Sequence, residues 1–248
     1  MLFRAKGQWF KMSLTIKEWL PQVEEFKHCG REAMDHLLFH RDPARPQFID
    51  SGYFFSPADG IVVCQDTYKP KEKMVDIKGA FFTLQDLVQD DTFDKECLVV
   101  NVFMTFYDPH YNRIPMAGIL NYKKLEPITT NNYPMLLSEE KLLDGIIDKS
   151  CVEWFKKNER MLNTIYSPDY DLSYQVLQIA DDDVDVIQHF DTDQSQYFQQ
   201  NQRFSMIRWG STCSLIIPID KRYDYELCLK PMIHVEAGVD ALVKIAKR

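Results

Sequence analysis

The segment "RFSMIRWGSTCSLIIP" (203–218) combines an apolar strand pattern with residues that interrupt it. The apolar residues on both sides predict a buried β-strand that ends at Pro218. Gly210, Ser211 and Thr212 break this pattern near its middle, and a glycine inside a strand often marks a bulge or a close backbone approach. A serine hydroxyl is a weak nucleophile that a neighbouring base can activate. The interruption is therefore a candidate site for chemistry.

Two further segments place titratable side chains beside predicted strands. In "SPADG", Asp59 occupies a Pro/Gly turn, where a lone aspartate most often caps the turn. In "YDPHYNRIPMAG" (107–118), Asp108, His110 and Arg113 follow a strongly apolar strand. Histidine suits proton transfer because its unperturbed pKa lies close to neutrality. A lone histidine is more often structural, so the hypothesis of a site depends on these segments meeting in space.

Other polar residues carry weaker signals. His189 and His234 lie in no comparable polar cluster, and "KNER" (157–160) would ordinarily be a solvated edge. The six cysteines contain no C-x-x-C pair and no spacing typical of metal ligands. The sequence therefore predicts reduced thiols in a cytoplasm-like compartment, and no metal site.

The elements that must position these residues fall into two groups. Thr15 with Glu18 predicts a helix start of the capping-box type, and residues 15 to about 40 are expected to form one or two helices. From Tyr53 onward, short apolar runs alternate with turn residues, and Thr83 begins a short helix among them. The predicted class is α+β, with N-terminal helices followed by a largely antiparallel sheet or barrel-like core in a single domain. Its parts are an N-terminal helical segment (1–40) and the remaining domain (41–248).

Composition restricts the partners. The net charge of −8 argues against nucleic acid, because phosphate binding requires a basic face. No run of 18 apolar residues exists, and the N-terminus has no signal-peptide pattern. Residues 1–17 are basic and aromatic without an acid, so they either contact an anionic membrane surface peripherally or pack on their own domain, the second being slightly favoured. A homodimer is retained as an alternative assembly.

Taken together, six segments resemble motifs of the phosphatidylserine decarboxylase family of pyruvoyl-dependent enzymes, in the family's order from about residue 38 to residue 218. Each segment alone is a weak signal, and their shared order is specific. The last of them contains the Gly-Ser interruption, and the fourth resembles the form found in short members of the family. The segments are "FHRDPARP", "FSPADGIV", "IKGAFFTLQDLVQDD", "DPHYNRIPMAG", "KNER" and "WGSTCSLIIP".

The resemblance implies that the chain cuts itself. In this family a Gly-Ser peptide bond breaks, which here implies cleavage between Gly210 and Ser211 into chains 1–210 and 211–248 that stay together. Ser211 would become a pyruvoyl group, whose carbonyls act as the electron sink for loss of CO₂. The implied reaction converts phosphatidylserine to phosphatidylethanolamine.

The resemblance also implies roles for single residues. Asp59 belongs to the processing apparatus, and His110 protonates or positions the substrate, with Asp108, Arg113 and Thr212 in support. Long members of the family carry a second histidine at the position of Arg113, which cannot act as a base at neutral pH. The processing base is therefore left open between Asp59 and His110.

Two alternatives remain beside the phospholipid substrate. One is a decarboxylase of a free amino acid, and the other is a binding protein that no longer cleaves. The survival of Gly210, Ser211, Asp59 and His110 disfavours the second. The acidic stretch "ADDDVD" (180–185) is expected to be a solvated loop rather than a cation site, and it would repel an anionic head group if it lined the pocket.

Overall fold

The computed structural model of the chain describes residues 2–5, 8–11, 13–46, 48–74, 76–77, 80–81, 83–126, 142–144, 158–180, 186–191, 193–208 and 211–248. Strands predominate among them, and the helices are short. No helix in these ranges is long and apolar enough to cross a membrane.

Helix α1 (Ile16–Val23) begins where the capping box was predicted. The Glu18 carboxylate accepts hydrogen bonds from the Thr15 backbone N–H (2.9 Å) and hydroxyl (2.7 Å). Ile16, Trp19 and Val23 share one face at helical spacing, and that face is buried. The other helical elements are a 3₁₀ turn (Glu24–Phe26), α2 (Arg31–Met34), a π-helical turn (Asp35–Phe39) and α3 (Leu84–Val88).

Helix α3 confirms the second predicted helix start. The Thr83 hydroxyl accepts a hydrogen bond from the Asp86 backbone N–H (3.2 Å), and the Asp86 carboxylate accepts one from the Thr83 N–H (3.0 Å). The N-terminal helical region also ends before Asp42, as predicted. Local capping chemistry therefore sets these helix boundaries.

Nine strands form the main sheet, and all their pairings are antiparallel. The six long strands are β5 (Gly60–Tyr68), β8 (Cys97–Met104), β10 (Gly118–Leu125), β11 (Arg160–Ser167), β12 (Leu172–Ala180) and β16 (Ser211–Pro218). The short strands β3 (Leu14–Thr15), β14 (Gln196–Phe198) and β18 (Ile233–Val235) complete it. The order across the sheet is β14-β10-β11-β12-β16-β8-β5-β18-β3.

The described strands form four smaller sheets besides the main one. They contain β13 (Ile187–His189), β15 (Arg203–Ile207) and β9 (Tyr111–Arg113); β17 (Tyr223–Leu227), β19 (Ala241–Lys247) and β4 (Tyr53–Phe55); β1 (Leu2–Ala5) and β2 (Gln8–Lys11); and β6 (Asp76–Ile77) and β7 (Ala80–Phe81). The α+β class is confirmed. The main sheet is open, with β3 and β14 at opposite edges, so the barrel-like alternative was wrong.

The central strands of the main sheet are buried on both faces. Val100 and Val102 of β8 face one apolar cluster, whereas Val99 and Phe103 face the other, as the alternation of side chains along a strand requires. On β16, Leu215 belongs to the first cluster and the next residue to the second. The core therefore lies on both sides of β8 and β16.

Gly60 permits the closest backbone approach in this core. Its φ is +151°, and a Cβ built on it would lie 2.1 Å from the Phe103 carbonyl oxygen of β8. Only glycine adopts this backbone conformation without strain, and the missing side chain allows β5 to reach β8. The packing of β5 against β8 therefore requires a glycine at position 60.

Replacing Gly60 with alanine should destabilise the protein strongly. The strained backbone conformation alone costs about 1–3 kcal/mol, and the overlap with Phe103 adds to this. Gly30→Ala is the matched control, because an added Cβ there meets no atom within 4 Å. Unfolding free energies from urea denaturation measure both variants. Equal stability of the two would contradict the close approach.

Candidate active site

One end of the main sheet brings the predicted residues together. Asp59 immediately precedes β5, and Ser211 is the first residue of β16. Both strands pair with β8, in which Phe103 lies opposite Ile61 and Met104 lies opposite Ser211. Because the pairings are antiparallel, the end of β8 lies between the starts of β5 and β16. Residues from two distant motifs thus flank the same strand end.

The loop after β8 contacts both ends of the segment in which cleavage is predicted. Ser211 pairs with Met104 at the start of this loop, and the Ile207 backbone N–H donates to the His110 carbonyl oxygen (3.1 Å) at its end. The loop carrying His110 is therefore fixed beside Ile207 and Ser211. Gly210 lies outside the described residues.

His110 is held in one orientation in the interior. Among the described residues, its Nδ1 has one hydrogen-bond partner, the Asp108 backbone carbonyl (2.8 Å), which can only accept, so Nδ1 carries the proton. Its Nε2 is buried and has no hydrogen-bond partner among the described residues. The Phe39 ring packs against the imidazole with 4.1 Å between centroids. Burial lowers the pKa of His110 to about 4. At neutral pH the imidazole thus presents an unprotonated, unpartnered Nε2.

Asp108 forms a buried pair with a histidine that sequence analysis missed. His234 Nε2 donates to Asp108 Oδ1 (2.8 Å), and the Trp19 ring stacks on His234 with 4.3 Å between centroids. Burial alone would raise the pKa of Asp108, but His234 and two hydrogen bonds from Thr105 hold it below its usual value. His234 does belong to a polar cluster, contrary to expectation. No local signal identifies it, because its partner lies 126 residues away.

Asp59 binds an arginine instead of merely capping its turn. The Arg45 guanidinium makes two hydrogen bonds to the carboxylate, at 2.5 and 2.8 Å, and the Ala237 N–H lies 3.4 Å from the same group. Arg45 also donates to the Ala237 carbonyl (3.1 Å). Burial raises the pKa of Asp59, and Arg45 opposes that rise. Both carboxylate oxygens are thus engaged. Arg45 lies within one of the quoted motifs, but its partner could not be predicted.

Arg113 and Thr212 lie close to this group without joining it. The Arg113 guanidinium donates to the Asn201 carbonyl (2.9 Å) and to Asp42 (3.1 Å), and no hydrogen bond to Asp59 is seen in the described part of the chain. Its backbone N–H donates to the Pro57 carbonyl in the turn before Asp59 (2.8 Å). Thr212 is fully buried in β16. The structure thus assembles Asp59, Asp108 and His110 around the start of β16, with Arg113 behind the Asp59 turn.

The "KNER" segment is buried, contrary to its ordinary interpretation as a solvated edge. Asn158 donates through its side chain to the Ala180 carbonyl (2.8 Å), and the Ala180 N–H donates to the Glu159 carbonyl (2.9 Å). The Glu159 carboxylate accepts from the Val186 N–H (2.9 Å). Ala180 pairs with Ser211, so this segment is hydrogen-bonded to the end of β12 that lies beside the start of β16. Lys157 and Asp181–Asp185 lie outside the described residues.

Comparison with known proteins gives one family. The family model described as "Phosphatidylserine decarboxylase" matches residues 36–242. A protein of Methanosarcina barkeri, provisionally named an archaetidylserine decarboxylase proenzyme, is 28% identical over 211 residues, covering 85% of this chain and 77% of its own length. Phosphatidylserine decarboxylase proenzymes of Ralstonia pickettii and Amoebophilus asiaticus are each 26% identical, covering 75% and 85% of this chain and 69% and 75% of their own lengths.

The buried state of His110 predicts its titration. The folded pKa of about 4 lies below the unfolded value of about 6.5, so the unfolded chain takes up the proton first as pH falls. Stability should therefore decrease between pH 6.5 and 4, and this decrease should be smaller in His110→Gln. Imidazole ¹⁵N shifts should show a neutral ring at pH 5.5. His189→Gln is the control, because it removes the other histidine with a pKa near 4 and should leave the His110 signal unchanged. A midpoint near 6.5 would contradict the buried geometry.

Proposed function

The chain belongs to the phosphatidylserine decarboxylase family, and from that premise we propose that it is a self-processing carboxy-lyase acting on a serine phospholipid. It cleaves between Gly210 and Ser211, and the processed protein removes CO₂ from phosphatidylserine to form phosphatidylethanolamine. The observation that carries the proposal is the placement of Ile207 and Ser211, which flank the proposed cleavage site. Ile207 donates a hydrogen bond to the His110 carbonyl, and Ser211 pairs with Met104 at the end of the strand that leads into the Asp108 loop.

The proposed processing reaction requires only the chain itself and one water molecule. The Ser211 hydroxyl attacks the Gly210 carbonyl carbon, and the amide bond is exchanged for an ester. β-Elimination then breaks the ester C–O bond, releases the Gly210 carboxylate and leaves dehydroalanine at position 211. Hydrolysis of dehydroalanine consumes water, releases ammonia and leaves a pyruvoyl group. The proenzyme names of the relatives support such a step.

The residues around position 211 fit a pyruvoyl group. When present, this group supplies a ketone that takes the substrate amine and accepts the electron pair released with CO₂. The unpartnered, buried Nε2 of His110 is suited to bind or move a proton beside it. Asp108 and Phe39 fix the imidazole, and their burial excludes water from it. Asp59 serves processing, and it acts as a pair with Arg45.

The two products of cleavage stay together because their contacts are long-range. Residues 211–248 contain β16, which lies between β12 and β8, and β18, which lies between β5 and β3. They also contain β17 and β19, and β19 pairs with β4. The smaller chain is therefore held by strands of the larger chain on both sides.

Processing is tested by intact mass. Wild-type protein should give two chains that meet at 210/211 in denaturing conditions and a single peak in native gel filtration. Ser211→Ala should remain one folded chain. Persistence of one full-length wild-type species after prolonged incubation would reject self-cleavage and favour a binding protein.

Three variants separate the roles of Asp59 and His110. Asp59→Asn should accumulate uncleaved chain, because it disrupts the pair with Arg45, and Arg45→Gln should do the same. His110→Ala should cleave yet lose at least about 100-fold in CO₂ release, the lower range for general acid–base catalysis. Glu226→Gln, an exposed change outside the site, is the control. Equal processing and turnover in all variants would mean that the site lies elsewhere.

A lipid substrate requires access to a membrane surface. The relatives' names differ in the lipid and share the serine head group. Residues 13–15 pack on the domain, since Ser13 donates to Asp240 (2.9 Å) and β3 pairs with β18. The preceding hairpin of β1 and β2 pairs only with itself among the described strands. We propose that residues 1–12 provide peripheral contact with an anionic bilayer in the cytoplasm.

Deletion of residues 1–12 tests this contact. The three basic residues in this segment contribute about 1 kcal/mol each near an anionic surface. Full-length protein should bind phosphatidylserine vesicles less tightly as salt increases, and the deletion should abolish binding while preserving processing. Co-sedimentation measures binding to the vesicles, and CO₂ release measures turnover of the vesicle lipid. Turnover of free serine with no vesicle binding at any salt would instead favour a decarboxylase of free amino acids.

A further inference from the structure

A cavity of about 400 Å³ is lined in part by Arg45 and Ala237, which both contact Asp59. Three arginines line it, and Asp42 is the only acidic residue among its lining residues. Because the protein as a whole carries a net charge of −8, a cluster of three guanidinium groups is a local exception. The lining residues used below are Asp42, Arg45, Arg113, Asn201, Arg203 and Gly238.

The three arginines are not equally neutralised. Arg45 is matched by the buried carboxylate of Asp59. Arg113 and Arg203 share the single carboxylate of Asp42, with one oxygen to each guanidinium at 3.1 and 2.8 Å. Burial lowers the pKa of Arg113, and the cations Arg45 and Arg203 lower it further, whereas Asp42 and Asp59 oppose this. Among the described residues, Arg113 and Arg203 therefore carry one positive charge more than the Asp42 carboxylate offsets.

Its contacts hold the Arg113 side chain in place, whereas the Asp42 side chain is partly exposed to solvent. The Arg113 guanidinium donates to the Asn201 carbonyl (2.9 Å), and a Cβ on Gly238 would lie 3.0 Å from Arg113 Cδ. Gly238 has a φ of +71°, so its backbone packs closely against the arginine stem. The Asp42 side chain is 39% exposed, and it can turn toward solvent. An incoming anion can thus replace Asp42 without moving Arg113.

We propose that this cavity holds the phosphate group of the substrate, with Arg113 and Arg203 each binding one non-bridging oxygen in place of the Asp42 carboxylate. Guanidinium groups suit paired phosphate oxygens, and a phosphodiester monoanion carries the same charge as the Asp42 carboxylate that it would replace. The identification of the ligand as a phospholipid head group rests on the proposed function. The Ala237 backbone contacts both Arg45 and Asp59, so the cavity and the processing residues share one wall.

Calorimetry on the uncleaved Ser211→Ala protein tests the cavity without turnover. The probes are glycerophosphoserine, inorganic phosphate and free serine. Glycerophosphoserine should bind at least fivefold more weakly to Arg203→Gln and severalfold more tightly to Asp42→Asn, which removes the competing carboxylate. Arg222→Gln is the matched control, since Arg222 is an exposed arginine paired with Asp220 and Asp171. The affinity of this variant for glycerophosphoserine should equal that of the parent protein. Free serine should show no dependence on Arg203.

Opposite results would overturn the assignment. Unchanged affinity in Arg203→Gln, or weaker binding in Asp42→Asn, would show that the arginines serve only structure. Tighter binding of inorganic phosphate than of glycerophosphoserine would make the cavity a site for free phosphate and not for the head group. Failure of self-cleavage would appear separately, in the mass analysis of the wild-type chain.

Discussion

The pairing of β8 with both β5 and β16 is the constraint on which the rest of the site depends. Phe103 and Met104 fix the register of the two neighbouring strands, and thereby the positions of Asp59 and Ser211. Side chains alternate along a strand, so a shift of one residue would exchange the faces of all of them. The core on both sides of β8 opposes such a shift, because every residue of that strand is buried. Hydrophobic packing thus sets the geometry of a polar site.

Burial then determines how each charged group behaves. The buried carboxylates of Asp59 and Asp108 each have a charged or hydrogen-bonding partner, as an interior of low polarity requires. His110 has lost its charge, and its Nε2 has no partner in the part of the chain that the structure describes. A structural histidine in the same position would be expected to satisfy both nitrogens. His189 also has one buried nitrogen without a partner in the described residues, so the position of His110 beside Ile207 and the β8 strand end is what distinguishes this site.

Much of this arrangement could be predicted from the sequence, and the failures have a common cause. The helix starts at Thr15 and Thr83 follow from capping residues three positions apart, and the strands follow from short apolar runs. The pairing of Asp108 with His234 and the burial of the "KNER" segment depend on contacts between distant strands. Even Arg45, only 14 residues from Asp59, is directed to it by the fold and not by spacing. The openness of the main sheet could not be predicted for the same reason, because no local sequence pattern shows whether its two edge strands pair with each other.

The central location of β16 affects how the protein folds before cleavage and whether it can refold afterwards. The first residue of this strand has neighbours on both sides, so its partners must be assembled before a bond there can be broken. Folding would thus occur before cleavage, while all strands belong to one polypeptide and are tethered at high effective concentration. After cleavage the 38 residues from 211 to 248 have no tether, and recovery from denaturation would become bimolecular. The mature protein would then be protected by the slowness of its unfolding and not by an ability to refold.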